Sequence, residues 1–266
     1  MYARIVVALD GSSFAEEVIP RAARIAEQIG AAISFVRVAE RPGDMLVADE
    51  YVRTLARRYG VEGRAVVASG SVSESIMGEV DRVPDSLVAI SARGRSGLGT
   101  AVLGSTAREY VQSSHDSVLV YRPTGVDEHD VAPITTVLLP LDGTDRSESM
   151  ADEAADWARA LHANLVIVQA IDARGVDMSG IDTTEDAYVH SRADVIAERV
   201  GIPVAWEVLH GDPAPALAAY VRGRRDVLIV MATRTQPALR AAVLGSVTSE
   251  LMHGASVPAV VRAVRA

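Results

Sequence analysis

Two periodicities alternate along the chain. Ile5–Leu9, Ile33–Val38, Ala65–Ala68, Leu87–Ile90 and Val118–Tyr121 are short, nearly continuous apolar runs bounded by polar and turn residues. Such runs suit strands buried on both faces, as in a parallel sheet covered by helices. Between them, Ser13–Ile29, Met45–Tyr59, Val72–Val83 and Ser105–Ser113 read as helices. In the first helix Val18, Ala22, Ile25 and Ile29 share one face. Pro20 falls inside that pattern and predicts a kink.

The pattern then returns. Apolar runs recur at Val137–Leu141, Leu165–Ile171, Val204–Val208, Val227–Met231 and Ala259–Arg262, and Met150, Ala154, Trp157 and Leu161 repeat the helix face. The letters repeat too: Leu9-Asp10-Gly11-Ser12 becomes Leu141-Asp142-Gly143-Thr144, and Val102-Leu103-Gly104-Ser105 becomes Val243-Leu244-Gly245-Ser246. The offset is 132 residues early and 141 late, so nine residues are inserted in the second copy, around Asp172 to Asp186. A tandem duplication follows: one domain over 1–123, a Pro- and acid-containing linker over 124–134, and a second domain over 135–266. Five strands alternating with helices predict an α/β fold, an open parallel sheet in each copy with helices on both faces. The terminal strands Val118–Tyr121 and Ala259–Arg262 would each be an edge in need of cover. Pairing them would make an internal pseudo-dimer, with a further homodimer compatible.

Composition narrows the function classes. The 266 residues include no cysteine, which removes disulfides, thiolate catalysis and cysteine metal sites. Net charge is −9 and no basic stretch dominates, so nucleic acid and anionic membranes are excluded as partners. No apolar run approaches the ~20 residues of a membrane helix. The N-terminus enters a strand without a leader, which predicts a cytoplasmic protein.

The chemistry concentrates in Ser91–Thr106, which leaves one apolar run and enters a helix. Gly94, Gly97, Gly99 and Gly104 lie within it, and Thr106 and Glu109 have capping-box spacing. A glycine-rich loop feeding a helix N-terminus holds phosphate: the backbone approaches closely and the helix dipole favours negative charge. Tight strand-to-helix packing would use the same glycines. The chain contains no lysine, so this is not a P-loop, and no Gly-x-Gly-x-x-Gly occurs. The spacing resembles the universal stress protein family, whose nucleotide motif is Gly-x-x-Gly, nine residues, then Gly-Ser or Gly-Thr. Here Ser91 replaces the first glycine, followed by Gly94 and then Gly104-Ser105. A serine is accommodated there if its φ is negative.

The resemblance covers essentially the whole chain as a tandem pair. It implies strand order 3-2-1-4-5 in each half, a Rossmann-like arrangement with the ligand at the switch point between the first and fourth strands. It also implies ATP or a related adenine nucleotide as ligand and a regulatory role in stress response. The first-half binding residues would be Ala8, Asp10, Val38, Ser91, Arg93, Gly94, Arg95, Gly97, Gly104, Ser105 and Thr106. Asp10-Gly11-Ser12 before a helix also reads as a cap or Asx turn. Mg²⁺ would enter with the nucleotide, held by phosphates and water, and no protein metal site is expected. His115 and His129 lack ligand partners at useful spacing and read as surface histidines.

The second copy has lost much of this frame. Ala232, Thr235, Pro237 and Ala238 replace Ser91, Gly94, Ser96 and Gly97. A weaker second site would retain Pro140, Asp142, Ala170, Ala232, Gly245 and Ser246. No acid/base pair or nucleophile elbow is evident, so the expectation is a binding protein, not an enzyme. Slow ATP hydrolysis, AMP transfer to a second substrate and a nucleotide-free interaction module remain the alternatives, the last with an unidentified protein partner. Gly94→Val is expected to weaken ATP binding at least tenfold while leaving the fold intact, as read by calorimetry and circular dichroism.

Overall fold

The computed structural model describes residues 1–92, 104–114, 116–122, 131–171, 181–234, 247, 251 and 257–264, with the backbone alone at 181–186 and 234. The first half runs β1 (Arg4–Leu9), α1 (Ser13–Glu16), α2 (Val18–Ile29), β2 (Ala32–Ala39), α3 (Met45–Tyr59), β3 (Glu62–Val67), α4 (Val72–Val80), β4 (Ser86–Ser91), α5 (Ser105–Ser113) and β5 (Val118–Tyr121). The second runs β6 (Thr136–Leu141), α6 (Asp145–Glu148), α7 (Ala151–Leu161), β7 (Asn164–Ile171), α8 (Ile181–Val200), β8 (Val204–His210), α9 (Pro213–Val221), β9 (Val227–Arg234) and β10 (Ala259–Val264). Helix α8 begins before the position equivalent to the start of α3, so part of the insertion lengthens a helix.

All these strands form one sheet, in the order β3-β2-β1-β4-β5-β10-β9-β6-β7-β8. Each half keeps the order 3-2-1-4-5 with parallel neighbours. The halves meet at β5 and β10, which pair antiparallel with Val118 opposite Val261 and Val120 opposite Ala259. Both strands are buried at this seam. Alternate side chains feed two cores. Helices α2, α3, α7 and α8 cover one face, while α4, α5 and α9 cover the other.

On the α2/α7 face, polar groups lock the halves together. The buried Arg21 on α2 donates through Nη1 to the carbonyls of Ala132 at 2.8 Å and Arg225 at 3.2 Å. Gln28 donates to the Ile134 carbonyl at 3.0 Å and accepts from its N–H at 2.9 Å, as a strand neighbour would. Tyr2 reaches across to Glu153 at 3.2 Å and packs against the fully buried Trp157.

Two local features differ from the sequence reading. The first helix breaks at Glu17, and Pro20 sits in the opening turn of α2, where a missing N–H costs little. The second copy breaks at the same place with Asp152 in place of Pro20. The break therefore belongs to the fold, and the proline fits into it. The capping box expected at Thr106 and Glu109 does not form, because α5 starts at Ser105 with Gly104 as its cap. A complete box does form at Ser71 and Glu74, at the start of α4.

Arg21→Met keeps the stem but strands two carbonyls. It is expected to lower stability by about 2–4 kcal/mol, seen as a lower urea midpoint at unchanged slope.

Candidate functional site

The strand order changes direction between the parallel neighbours β1 and β4 and leaves a crevice at their carboxyl ends, where open α/β sheets take ligands. A cavity of about 310 Å³ occupies it, at the small end of the range for ligand sites. Of the residues singled out from the sequence, Ala8, Asp10, Val38, Ser91, Gly104, Ser105 and Thr106 all line this cavity. Arg93, Gly94, Arg95 and Gly97 lie outside the described residues, as do His115 and His129.

Each lining group has a local cause. Ala8 pairs with Val36 on one side and Ile90 on the other, and its small side chain leaves room between them. Val36 and Val38 project from β2 to the same face, opposite Val72 and Ile76 of α4, so that end of the cavity is an apolar slot. Asp10 follows β1. Its Oδ1 accepts from the Ser12 N–H at 2.8 Å and from the Ser12 hydroxyl at 2.6 Å, an Asx turn, while Ser12 caps α1 through Ala15. Both readings of the Asp-Gly-Ser stretch thus coexist: the carboxylate orders the turn and lines the cavity.

Ser91 ends β4 opposite Tyr121, buried and without positive φ, so its Cβ carries no conformational cost. At the far end of the glycine-rich stretch, the Gly104 N–H donates to the Ala92 carbonyl at 2.9 Å, and the Ala92 N–H donates to Tyr121 at 2.8 Å. The two ends of the loop are thereby pinned side by side, and the N-terminus of α5 enters the cavity wall. Sequence reasoning did not single out Leu9, Ala15, Val36, Glu40, Val72, Ile76, Ile90 and Ala107, and among these Glu40, Val72 and Ile76 bear most on a ligand. The helical spacing of Val72, Ile76 and Val80 was the available signal for two of them.

The equivalent ground in the second half is built differently. Pro140 stands at the place of Ala8 and supplies no N–H. Strand β6 stays with β9 only as far as Leu138 opposite Ile229, whereas β1 stays with β4 as far as Ala8 opposite Ile90. Ser147 replaces Ala15, and its hydroxyl donates to the Thr144 carbonyl at 2.8 Å and accepts from the Asp142 N–H at 3.2 Å. Asp142 accepts from the Thr144 N–H at 3.1 Å and from its hydroxyl. Burial opposes ionisation of Asp142, but hydrogen bonds to its carboxylate from the Thr144 hydroxyl and N–H, with the nearby Arg146 charge, outweigh it and hold its carboxyl below the ordinary value. Ala170 and Ala232 are half-buried at the ends of β7 and β4's counterpart β9, while Gly245 and Ser246 lie outside the described residues.

The model of the universal stress protein family matches residues 1–51, 43–122 and 133–262. The chain belongs to the universal stress protein family. The three matched stretches make it a tandem member of that family. A universal stress protein of Mycobacterium tuberculosis is 27% identical over 184 residues, covering 66% of this chain and 61% of its own length. The chain thus spans about three fifths of the length of that curated relative. The crystal structure of a universal stress protein from Archaeoglobus fulgidus covers 99% of each chain with a TM-score of 0.69 at 18% identity. A putative universal stress protein from Pseudomonas aeruginosa superposes with a TM-score of 0.64 at 16% identity, over 98% of this chain and 93% of its own. At such identities the two structures speak for the fold of this universal stress protein. Among the described residues no helix is long and apolar enough to cross a membrane, and no group of three or more His, Asp or Glu could hold a metal ion.

The depressed carboxyl of Asp142 gives a pH signature. Its stabilisation is complete above the ordinary value of 3.8 and is lost as pH falls through the lower folded-state value. Asp142→Ala is expected to cost about 1 kcal/mol at neutral pH. In urea titrations at stepped pH, the gap from the parent chain should close below 3.8.

Proposed function

We propose that this universal stress protein binds an adenine nucleotide, ATP foremost, in the first-half crevice, and that occupancy is a regulatory signal rather than the start of a reaction. The observation that carries the reading is one cavity at the β1/β4 switch point, bounded by an apolar slot, the Asp10 turn and the start of α5. The slot between Val36, Val38, Val72 and Ile76 suits a planar base. Asp10 and Glu40 supply acceptors for ribose hydroxyls or an exocyclic amine. Gly104, Ser105 and Thr106 open a helix toward the phosphates, where N–H groups and dipole favour anions. Arg93, Gly94, Arg95 and Gly97 complete the phosphate side in this reading, and Mg²⁺ arrives on the nucleotide.

In the same reading, residues 1–123 and 135–266 are two domains joined by 124–134, working in the cytoplasm with a protein partner that senses the bound state. The second domain is chiefly structural. Pro140 in place of Ala8, Ser147 in place of Ala15 and Ala232 in place of Ser91 favour weak nucleotide binding there or none.

Protein purified without added nucleotide and then denatured should release an adenine nucleotide, identified by chromatography. Titration of the stripped chain should saturate at about one ATP per chain. Ala8→Leu, which fills the cavity from its floor, should weaken that binding at least tenfold with little change in melting temperature. Two equivalent sites, or undiminished affinity in Ala8→Leu, would show that the crevice is not the nucleotide site.

A further inference from the structure

The carboxyl end of β2 carries a cation on the face away from the cavity. Val36 and Val38 face the crevice, whereas Arg37, between them, joins the opposite side of the sheet beside Leu9, the residue before Asp10. Its guanidinium lies 4.4 Å from the centre of the Tyr51 ring on α3. It also lies against Gly11: a Cβ built there would stand 2.9 Å from Nη2, 3.1 Å from Cζ and 3.2 Å from Nη1. The guanidinium thus occupies the space beside Gly11 in which a side chain would stand. Gly11 holds φ +88°, a conformation that a side chain would resist. The Tyr51 hydroxyl donates to Glu16 of α1 at 2.8 Å, so the ring under Arg37 is itself fixed to the helix that follows the turn.

We propose that Arg37 is the positioning residue of the nucleotide site. Packed against Tyr51 and Gly11, it sets the height of the Asp10 turn, and hence where the Asp10 carboxylate meets the ribose. The inference rests on the nucleotide reading above. The planar, delocalised charge suits the role, because it can sit over an aromatic ring and fill the narrow space beside a glycine at once. The Nε–H of Arg37 is buried and has no hydrogen-bond partner among the described residues. Packing, not a directional bond from that atom, therefore holds this part of the side chain. Among the described residues the second half does not repeat the stack: Gln169 occupies the position of Arg37, and Arg192, at the position of Tyr51, pairs with Glu148.

The test compares ATP with 2′-deoxy-ATP by calorimetry on the full chain. The parent chain should prefer ATP. Asp10→Asn should abolish that preference. Arg37→Met, which keeps the stem and removes the plane, should weaken ATP at least tenfold and 2′-deoxy-ATP by less, so that the ratio closes. Arg37→Lys, charged but not planar, should not restore it. Tyr51→Phe keeps the ring but releases its tie to Glu16 and should weaken ATP by less than Tyr51→Ala, which should follow Arg37→Met. Tyr51→Ala also serves as the independent variant should Arg37→Met fail to fold. A parent chain that binds neither nucleotide refutes the nucleotide reading itself. A parent chain that binds both alike, or Arg37 and Tyr51 variants that melt earlier yet keep the ATP preference, overturns the positioning role and leaves that reading standing.

Discussion

The antiparallel pairing of β5 with β10 is the contact on which the rest of the molecule depends. Each half is an open parallel block whose last strand would otherwise expose a row of N–H and C=O groups. These strands are apolar on both faces because helices cover both, so water could not substitute for a neighbour. Joining the two edges turns two marginal borders into the centre of one sheet. The outer borders then fall on β3 and β8, whose residues alternate between buried or half-buried and exposed, as edges tolerate. Arg21 and Gln28 add to the junction by bonding to main-chain groups of Ala132 and Ile134, where the chain enters the second half, and of Arg225 within it.

Once the halves share a sheet, stability no longer requires both switch points to be functional. The seam lies at the ends of the order 3-2-1-4-5, and the crevices lie within each block. Sequence change in one crevice therefore leaves the junction untouched. The second half shows the result. A proline enters the strand at the crevice, the β6–β9 ladder stops early, and a serine hydroxyl ties down the turn where an alanine lines the first cavity. Under the proposed reading each change would cost binding, while the core below, including Leu138, Leu139, Met150 and Trp157, remains fully buried.

Much of this was legible in the sequence, and the pattern of what was not is physical. Strands β1 to β10 were readable because a doubly covered parallel strand is a continuous apolar run; their lengths were underread where polar ends such as Arg4, Glu62 and His210 still join a ladder. The duplication was readable from the repeated Leu-Asp-Gly and Val-Leu-Gly-Ser. The helix break at Glu17 was masked by Pro20, which drew attention to a position three residues too late. Glu40 was out of reach, since nothing in a charged residue after a strand says which way the chain turns. Arg37 was hidden for a related reason: alternation assigns it to the face away from the cavity, and its link to the site runs through the backbone of Gly11 rather than through spacing.

The glycines of the motif have unequal duties. Ser91 shows that its position needs no glycine, because the residue is still in the strand and its φ is ordinary. Gly104 also has a backbone that any residue could adopt, with φ −51° and ψ 148°. Conformation therefore explains neither position. What separates them is the neighbourhood. Ser91 sits deep in the wall, where a small polar side chain packs beside β5, while Gly104 stands at the mouth of α5 with its own N–H already given to Ala92. Under the proposed nucleotide reading, glycine at 104 answers to close approach of the phosphates rather than to φ, and the serine at 91 leaves that approach untouched.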